Sequence, residues 1–245
     1  MSSEREKNMK VFKSILSVGW KVIAILLGVI IIVGAIFAVR GYMLYSDVVK
    51  DTPISAKVDE IKSKQNYTEY SDLPQFYIDA VISVEDHRFK EHFGIDFVAI
   101  CRAAWNDIKS MSFVEGGSTI TQQLAKNMYY TQEKKIERKV AEMFTAFALE
   151  HNYSKQEIFE LYVNTIYFGS GYYGIYDAAM GYFRKVPSQL SDYECAMLAG
   201  LPNAPSNYSP KTDPELANQR LKQVLKRMVE CDKINQVQAD AILFG

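Results

Sequence analysis

The chain has few of the residues that build metal and disulfide chemistry. It carries three cysteines, Cys101, Cys195 and Cys231, and three histidines, His87, His92 and His151, in 245 residues. An odd, widely spaced set of cysteines fits neither a disulfide framework nor a zinc site. Their helix-like apolar surroundings predict small core residues instead. The histidines show no metal-ligand spacing, so His92 reads as structural or as a hydrogen-bonding neighbour of Glu85. A net charge of −1 provides no global basic field, which excludes nucleic acid as a partner on electrostatic grounds. Period-2 runs of useful length, internal repeats and low-complexity tracts are all missing, which argues against a β or solenoid architecture.

What the chain does have is one long apolar run. Val22 to Val39 is uncharged, and as a helix it is about 27 Å long, close to the bilayer hydrocarbon thickness. Arg5, Lys7, Lys10, Lys13 and Lys21 precede it, while only Arg40 and Lys50 follow closely, beside Asp47 and Asp51. This bias predicts a cytoplasmic tail over 1–21, a membrane anchor over 22–41 and an extracytoplasmic remainder. The run is longer than a signal-peptide core and no A-x-A site follows, which favours a retained anchor. Residues 42–73 read as a spacer, polar and irregular from Asp51 to Pro74, and 74–245 as one domain large enough for a real core.

Within that domain the pattern is mostly α. Helices are expected over Phe76–Glu85, from Asp96 to about Lys109, from Ser118 or Thr119 to about Met128, and over Glu133–Glu150. Capping boxes at Ser154–Glu157 and Ser191–Glu194 start two more, the second stopping at Gly200 before Pro202. Asp213 to about Glu230 and Asn235–Leu243 complete the set.

The candidate chemistry lies in four places. Glu85 ends an apolar helix face where a polar turn begins, and partial desolvation there raises a carboxylate toward service as a base. The segment Gly116-Gly117-Ser118-Thr119-Ile120-Thr121-Gln122-Gln123 offers a tight turn, hydroxyls, amides and the free N–H groups of a helix start, suited to a diphosphate or a sugar hydroxyl. Lys126, Lys134, Lys135, Arg138 and Lys139 form a local cationic set. Residues 135, 138, 139 and 142 share a helix face that suits a phosphate, with Glu142 placed to hold a divalent cation. Further on, Lys155, Glu160, Tyr162 and Asn164 precede Tyr167-Phe168-Gly169-Ser170-Gly171-Tyr172-Tyr173-Gly174, which suits either a sugar-lined wall or close helix packing. Trp105, Met111 and Phe113 form an apolar stretch suited to a bilayer surface or to a core.

In order along the chain these segments resemble the peptidoglycan glycosyltransferases of glycosyltransferase family 51, over roughly residues 70 to 230. E-D-x-x-F-x-x-H-x-G matches Glu85 to Gly94, and G-G-S-T-I-T-Q-Q matches Gly116 to Gln123. R-K-x-x-E matches Arg138 to Glu142, K-x-x-I-x-E-x-Y-x-N matches Lys155 to Asn164, and R-x-x-x-V-L matches Arg220 to Leu225. The Leu198–Pro205 stretch fits as well.

The resemblance implies a lysozyme-like helical domain that polymerises lipid II outside a bacterial cell membrane. Glu85 and Glu142 would be catalytic, the first as general base and the second assisting at the diphosphate through Mg²⁺ or Mn²⁺. Lys126, Arg138 and Lys139 would neutralise the leaving group. Ser118, Thr119, Gln122 and Gln123 would position the donor, while Asp86 and Phe89 would hold Glu85 in place. Implied partners are lipid II, the growing glycan chain, membrane lipid and proteins of cell-wall assembly. With no S-x-x-K, S-x-N or K-T-G set, the chain resembles the monofunctional enzymes. The competing readings are a lysozyme-like peptidoglycan hydrolase and a non-catalytic wall-assembly protein.

Overall fold

The computed structural model describes residues 2–110, 117–131, 133 and 135–244. Gly116, Met111, Phe113 and Lys134, singled out above, lie outside the described residues. Among the described residues there are twelve α-helices and no strand, so the mostly α expectation holds.

A 50-residue helix, α1 (Ser2–Asp51), leads into the domain. Its stretch from Ser17 to Asp51 is long and apolar enough to cross a membrane, and none of its most apolar window is buried against the rest of the chain. The helix does not end with the apolar run. Gly41, at its far end, is packed against α6 (Ile136–Asn152) so closely that an added Cβ would lie 2.5 Å from Val140 Cβ. Small residues let helices approach in this way. Tyr42 and Tyr45 continue the contact on the ring of Phe144, at centroid distances of 5.3 and 6.0 Å.

The segment expected to be a spacer is built into the domain. It contains α2 (Ile54–Lys62), whose Ile54, Val58 and Ile61 join the main core together with Leu73. This helix follows Pro53 and has no side-chain cap, so its start carries no capping signal. The core lies between α3 (Gln75–Glu85), α5 (Ile120–Tyr129), α7 (Lys155–Val163), α9 (Asp192–Gly200) and α11 (Pro214–Glu230). Tyr77, Leu124, Phe159, Tyr162, Leu198 and Val224 are fully enclosed there. The helix α4 (Phe97–Ser110) stands outside it, with Phe97, Val98 and Trp105 exposed. The remaining helices are α8 (Ile175–Phe183), the short α10 (Pro205–Tyr208) and α12 (Gln236–Phe244). The uncapped α8, with Gly174 before it and Gly181 inside it, also lacks a sequence start signal. Of the three cysteines only Cys195 is a core residue; Cys101 is exposed and Cys231 half-buried.

Candidate active site

The end of α3 and the start of α5 are tied together by one carboxylate. Asp86 directly follows α3, and its Oδ2 accepts from the Ile120 N–H at 3.0 Å, filling one of the open donors of α5. His92 Nε2 holds the same carboxylate at 2.9–3.0 Å. Thr119 caps α5 in a capping box with Gln122: Gln122 N–H donates to Thr119 Oγ1 and Thr119 N–H donates to Gln122 Oε1, each at 3.1 Å.

This clamp fixes the next turn of α5 against Glu85. Gln123 Nε2 donates to Glu85 Oε2 at 2.8 Å, and Tyr162, wholly buried beneath, donates to Gln123 Oε1 at 3.4 Å. Glu85 Oε1 is buried with no hydrogen-bond partner; its nearest cation is Arg220 Nη2 at 3.9 Å. Burial pushes the Glu85 carboxyl above its ordinary range, against the opposing pull of Gln123, Arg220 and Lys126, while Asp86 adds to the rise.

Glu85 opens onto a cleft of about 370 Å³ between α3, α5 and α11. Four cations line it: Arg102, Lys126, Arg220 and Arg227. Ser118 and Gln123 share its wall, and Asn203 closes the side formed by the turn after α9. Burial and the neighbouring Arg138 charge hold the Lys126 ammonium below its usual range.

Glu142 belongs to an adjoining cluster. It is 1% exposed, with Arg138 on Oε1 and Lys139 on Oε2, the latter at 3.0 Å. Lys139 also donates to Ser118 Oγ at 2.8 Å and so joins this cluster to the cleft wall. Burial, then the charges of Arg138 and Lys126, lower Lys139 to about 8 even with Glu142 beside it. Both Glu142 oxygens are engaged by cations, and among the described residues no three His, Cys, Asp or Glu side chains gather as metal ligands. The donor set therefore does not fit the divalent cation expected on Glu142: it offers a single carboxylate already flanked by two cations, whose charge repels a metal ion.

The expected residues divide accordingly. Glu85, Asp86, Ser118, Gln123 and Lys126 meet at one cleft, and Arg138, Lys139 and Glu142 flank it. Thr119 and Gln122 do not extend the wall; both are 2% exposed and their oxygens are spent on the cap. Phe89 is in the core, under the Lys155 ammonium at 4.5 Å and beside His92. Lys135 points away, exposed and paired with Glu133 at 2.6 Å.

The Lys155–Asn164 segment is structural. Lys155 binds the His92 carbonyl and Glu150, each at 2.7 Å, while Glu160 and Asn164 hold the backbone of Tyr70 and Thr68. Arg220 and Arg227 were missed as site residues. Their seven-residue spacing puts both on one face of α11, which was the available signal.

Residues 52–229 match the family model described as Transglycosylase, so the chain belongs to that family, the glycosyltransferase class its motifs resembled, with its lysozyme-like helical fold. The match begins at α2, in keeping with its packing into the domain. The chain is 48% identical over 167 residues to penicillin-binding protein 1A of Aquifex aeolicus (strain VF5), covering 68% of this chain and 23% of that protein. It is 40% identical over 244 residues to penicillin-binding protein 1A of Vibrio cholerae, covering 95% of this chain and 29% of that protein. The crystal structure of penicillin-binding protein 1A from Haemophilus influenzae aligns with 73% of this chain and 17% of its own, at 25% identity and a TM-score of 0.44. The chain thus spans less than a third of the length of each of these relatives.

Proposed function

We propose that this protein polymerises lipid II into linear β-1,4 glycan strands of peptidoglycan at the outer face of a bacterial membrane. The observation that carries the reading is the orphaned Oε1 of Glu85, a buried carboxylate oxygen with an open lone pair at a cleft lined by cations. Glu85 takes the proton of the acceptor sugar's 4-hydroxyl as that oxygen forms a bond to C1 of the donor sugar. The C1–O bond to the diphosphate breaks from the opposite face, so the anomeric centre inverts and undecaprenyl diphosphate departs. The raised pKa of Glu85 suits it to accept a proton near neutral pH. Lys126, Arg220 and Lys139 supply positive charge where the leaving diphosphate develops negative charge. Gln123 orients the base, and Arg138 with Glu142 holds Lys139 in place.

A lysozyme-like hydrolase would also use a glutamate of raised pKa, but it needs a second carboxylate free to act. Glu142 is saturated by two cations, which favours transfer from a diphosphate. Both substrates carry lipid tails, so an anchored enzyme with Phe97, Val98 and Trp105 exposed beside the cleft wall suits the membrane surface. The basic residues before the span support a cytoplasmic N-terminus. The test is polymer formation from labelled lipid II by the detergent-solubilised chain beside Glu85→Gln, with finished peptidoglycan as a parallel substrate. Glycan strands from the wild type alone support the reading; undiminished product from the variant, or cleavage of finished peptidoglycan without polymerisation, overturns it.

A further inference from the structure

The carboxylate at the centre of the cleft has a support that no step above uses. Glu85 ends α3, and the side-chain amide of Gln123 from α5 meets its Oε2 at 2.8 Å. Behind that amide lies Tyr162 of α7, whose hydroxyl reaches Gln123 Oε1 at 3.4 Å. Glu85 and Gln123 both line the cleft, whereas Tyr162 is fully enclosed and lies outside its wall. Three residues from three helices thus form one line from the core to the carboxylate.

The surroundings of Tyr162 hold its ring in place. Phe159, also enclosed, packs on it at a centroid distance of 6.5 Å. Two residues on, Asn164 Nδ2 donates to the Thr68 carbonyl at 2.8 Å, and Asn164 Oδ1 accepts from the Thr68 N–H at 2.9 Å. A Cβ on Gly174 would lie 3.1 Å from the Asn164 carbonyl oxygen, so the end of α7 is pinned from that side too. Within a segment that holds the fold, the Tyr162 hydroxyl is turned toward the site.

That hydroxyl keeps its proton. Burial, with Glu85, Tyr77 and Asp86 nearby, pushes the phenol well above its ordinary range. It is therefore a donor at any pH where the protein works, and among the described residues Gln123 Oε1 is the acceptor it meets.

A glutamine amide is nearly symmetric in shape but not in charge. With Nε2 toward Glu85, a donor faces the carboxylate and favours its anion. Turned over, Oε1 would face Oε2, and only a protonated Glu85 can satisfy that pair of acceptors. The same turn would present the amide nitrogen to Tyr162 and leave a buried O–H without an acceptor. The charged groups around Glu85 are Asp86 beside it, Lys126 on α5 and Arg220 on α11, with His87, Arg102 and Arg227 further along the cleft. They set the field at the carboxylate; Tyr162 sets which end of the amide meets it.

We infer that Tyr162 is a positioning residue for the general base, its hydroxyl fixing the Gln123 amide with the nitrogen toward Glu85. The role of Glu85 as base rests on the polymerase reading; the orientation of the amide does not.

The experiment compares wild type, Tyr162→Phe, Gln123→Ala, the double variant and Tyr77→Phe as full chains in detergent, with folding of each checked by thermal melting. Initial rates of lipid II polymerisation are measured between about pH 5 and 9. On the acid side the rate falls as Glu85 takes up its proton. For Tyr162→Phe this limb is expected to move up by at least about 0.5 pH unit, as the loss of one hydrogen bond to the anionic state allows. The variant is then at least about threefold slower than wild type on that limb, at an unchanged KM, because residue 162 is outside the cleft wall. Gln123→Ala is expected to move the limb further, and adding Tyr162→Phe to it to move the limb no more. Tyr77→Phe removes an equally buried hydroxyl that has no partner, and is expected to leave the limb in place. A limb unmoved by Tyr162→Phe or by Gln123→Ala, a shift repeated in full on the Gln123→Ala background, or an equal shift in Tyr77→Phe would each overturn the inference.

A second readout needs no turnover. The Glu85 carboxyl is titrated by ¹³C NMR in chains labelled at glutamate, its signal assigned by its loss in Glu85→Gln. Its midpoint is expected to rise in Tyr162→Phe by the same interval as the acid limb. If the wild type makes no polymer at all, the polymerase reading fails while this titration still decides the role of Tyr162.

Discussion

Gly41 of the anchor helix rests on Val140 of α6, between Lys139 and Glu142 in sequence, at a separation that leaves no room for a side chain. Arg40 reaches Glu137 of the same helix at 3.3 Å. The membrane helix is thus packed directly on the helix that carries the cationic cluster. A bulkier residue at 41 must push α6 away. We expect Gly41→Val to cost about 1–3 kcal/mol of stability, as overpacking does, and to reduce glycan synthesis. Val140→Ala in the same chain returns the space, so the double variant is expected to recover both melting temperature and activity. A double variant no better than Gly41→Val would show that this contact does not set the position of α6.

Glu85 illustrates a cost that function imposes on folding. Its carboxyl titrates above the ordinary 4.5 in the folded state, so the unfolded chain releases that proton first as pH rises, and stability falls through this interval. Glu85→Gln removes the buried charge and keeps the shape. The variant is expected to lose about 10²–10⁴-fold in rate while melting no lower than wild type at pH 7. The difference in melting temperature is expected to shrink on acidification toward pH 4.5, which thermal scans at several pH values would measure.

Two groups set the expected pH profile of the reaction. Activity should fall on the acid side as Glu85 takes up its proton, at a pH above the usual carboxylate value. It should fall again above about 8, where Lys139 loses its charge. Lys139→Arg keeps the cation to much higher pH, so it is expected to shift the alkaline limb upward and leave the acid limb unchanged. Rate measurements from pH 5 to 10 on both proteins decide this.

Asp86 is a positioning residue rather than a base. Its oxygens are engaged by His92 and the Ile120 N–H. Asp86→Ala strands a buried N–H and a buried imidazole, a loss of about 1–3 kcal/mol for each such group, and frees α5 from α3. Both melting temperature and rate are expected to drop, whereas Glu85→Gln lowers the rate without lowering the melting temperature. A variant with wild-type stability would refute the clamp.

Arg220 is the cation nearest Glu85, and its Nε is fixed on the Gly200 carbonyl at 3.1 Å. Arg220→Ala is expected to slow polymerisation at least tenfold, with Arg220→Lys restoring only part, because lysine cannot hold the carbonyl and face the cleft together. Steady-state rates of the two variants test this.

Much of the fold was legible in local pattern. The apolar run before Arg40, the boxes at Ser154 and Ser191 and the stop at Gly200 each declare themselves through nearby residues, and the helices lie where those signals put them. The helices α2 and α8 carry no side-chain cap, so neither was expected. The motif carboxylates and cations were also visible, but their partners were not. Whether Gln122 or Gln123 faces Glu85 depends on which one closes the cap of α5, a matter of helix phase and of the Asp86 clamp.

The sequence by itself determined the helical character, the apolar span and the inventory of charged groups, because these follow from spacing and composition over a few turns. Only the tertiary structure decided which oxygen of Glu85 is left without a partner, that Arg138 and Lys139 saturate Glu142, and that Arg220 faces Glu85 from 135 residues further along the chain. Those outcomes depend on desolvation and on distances between helices remote in sequence, and no local pattern encodes either.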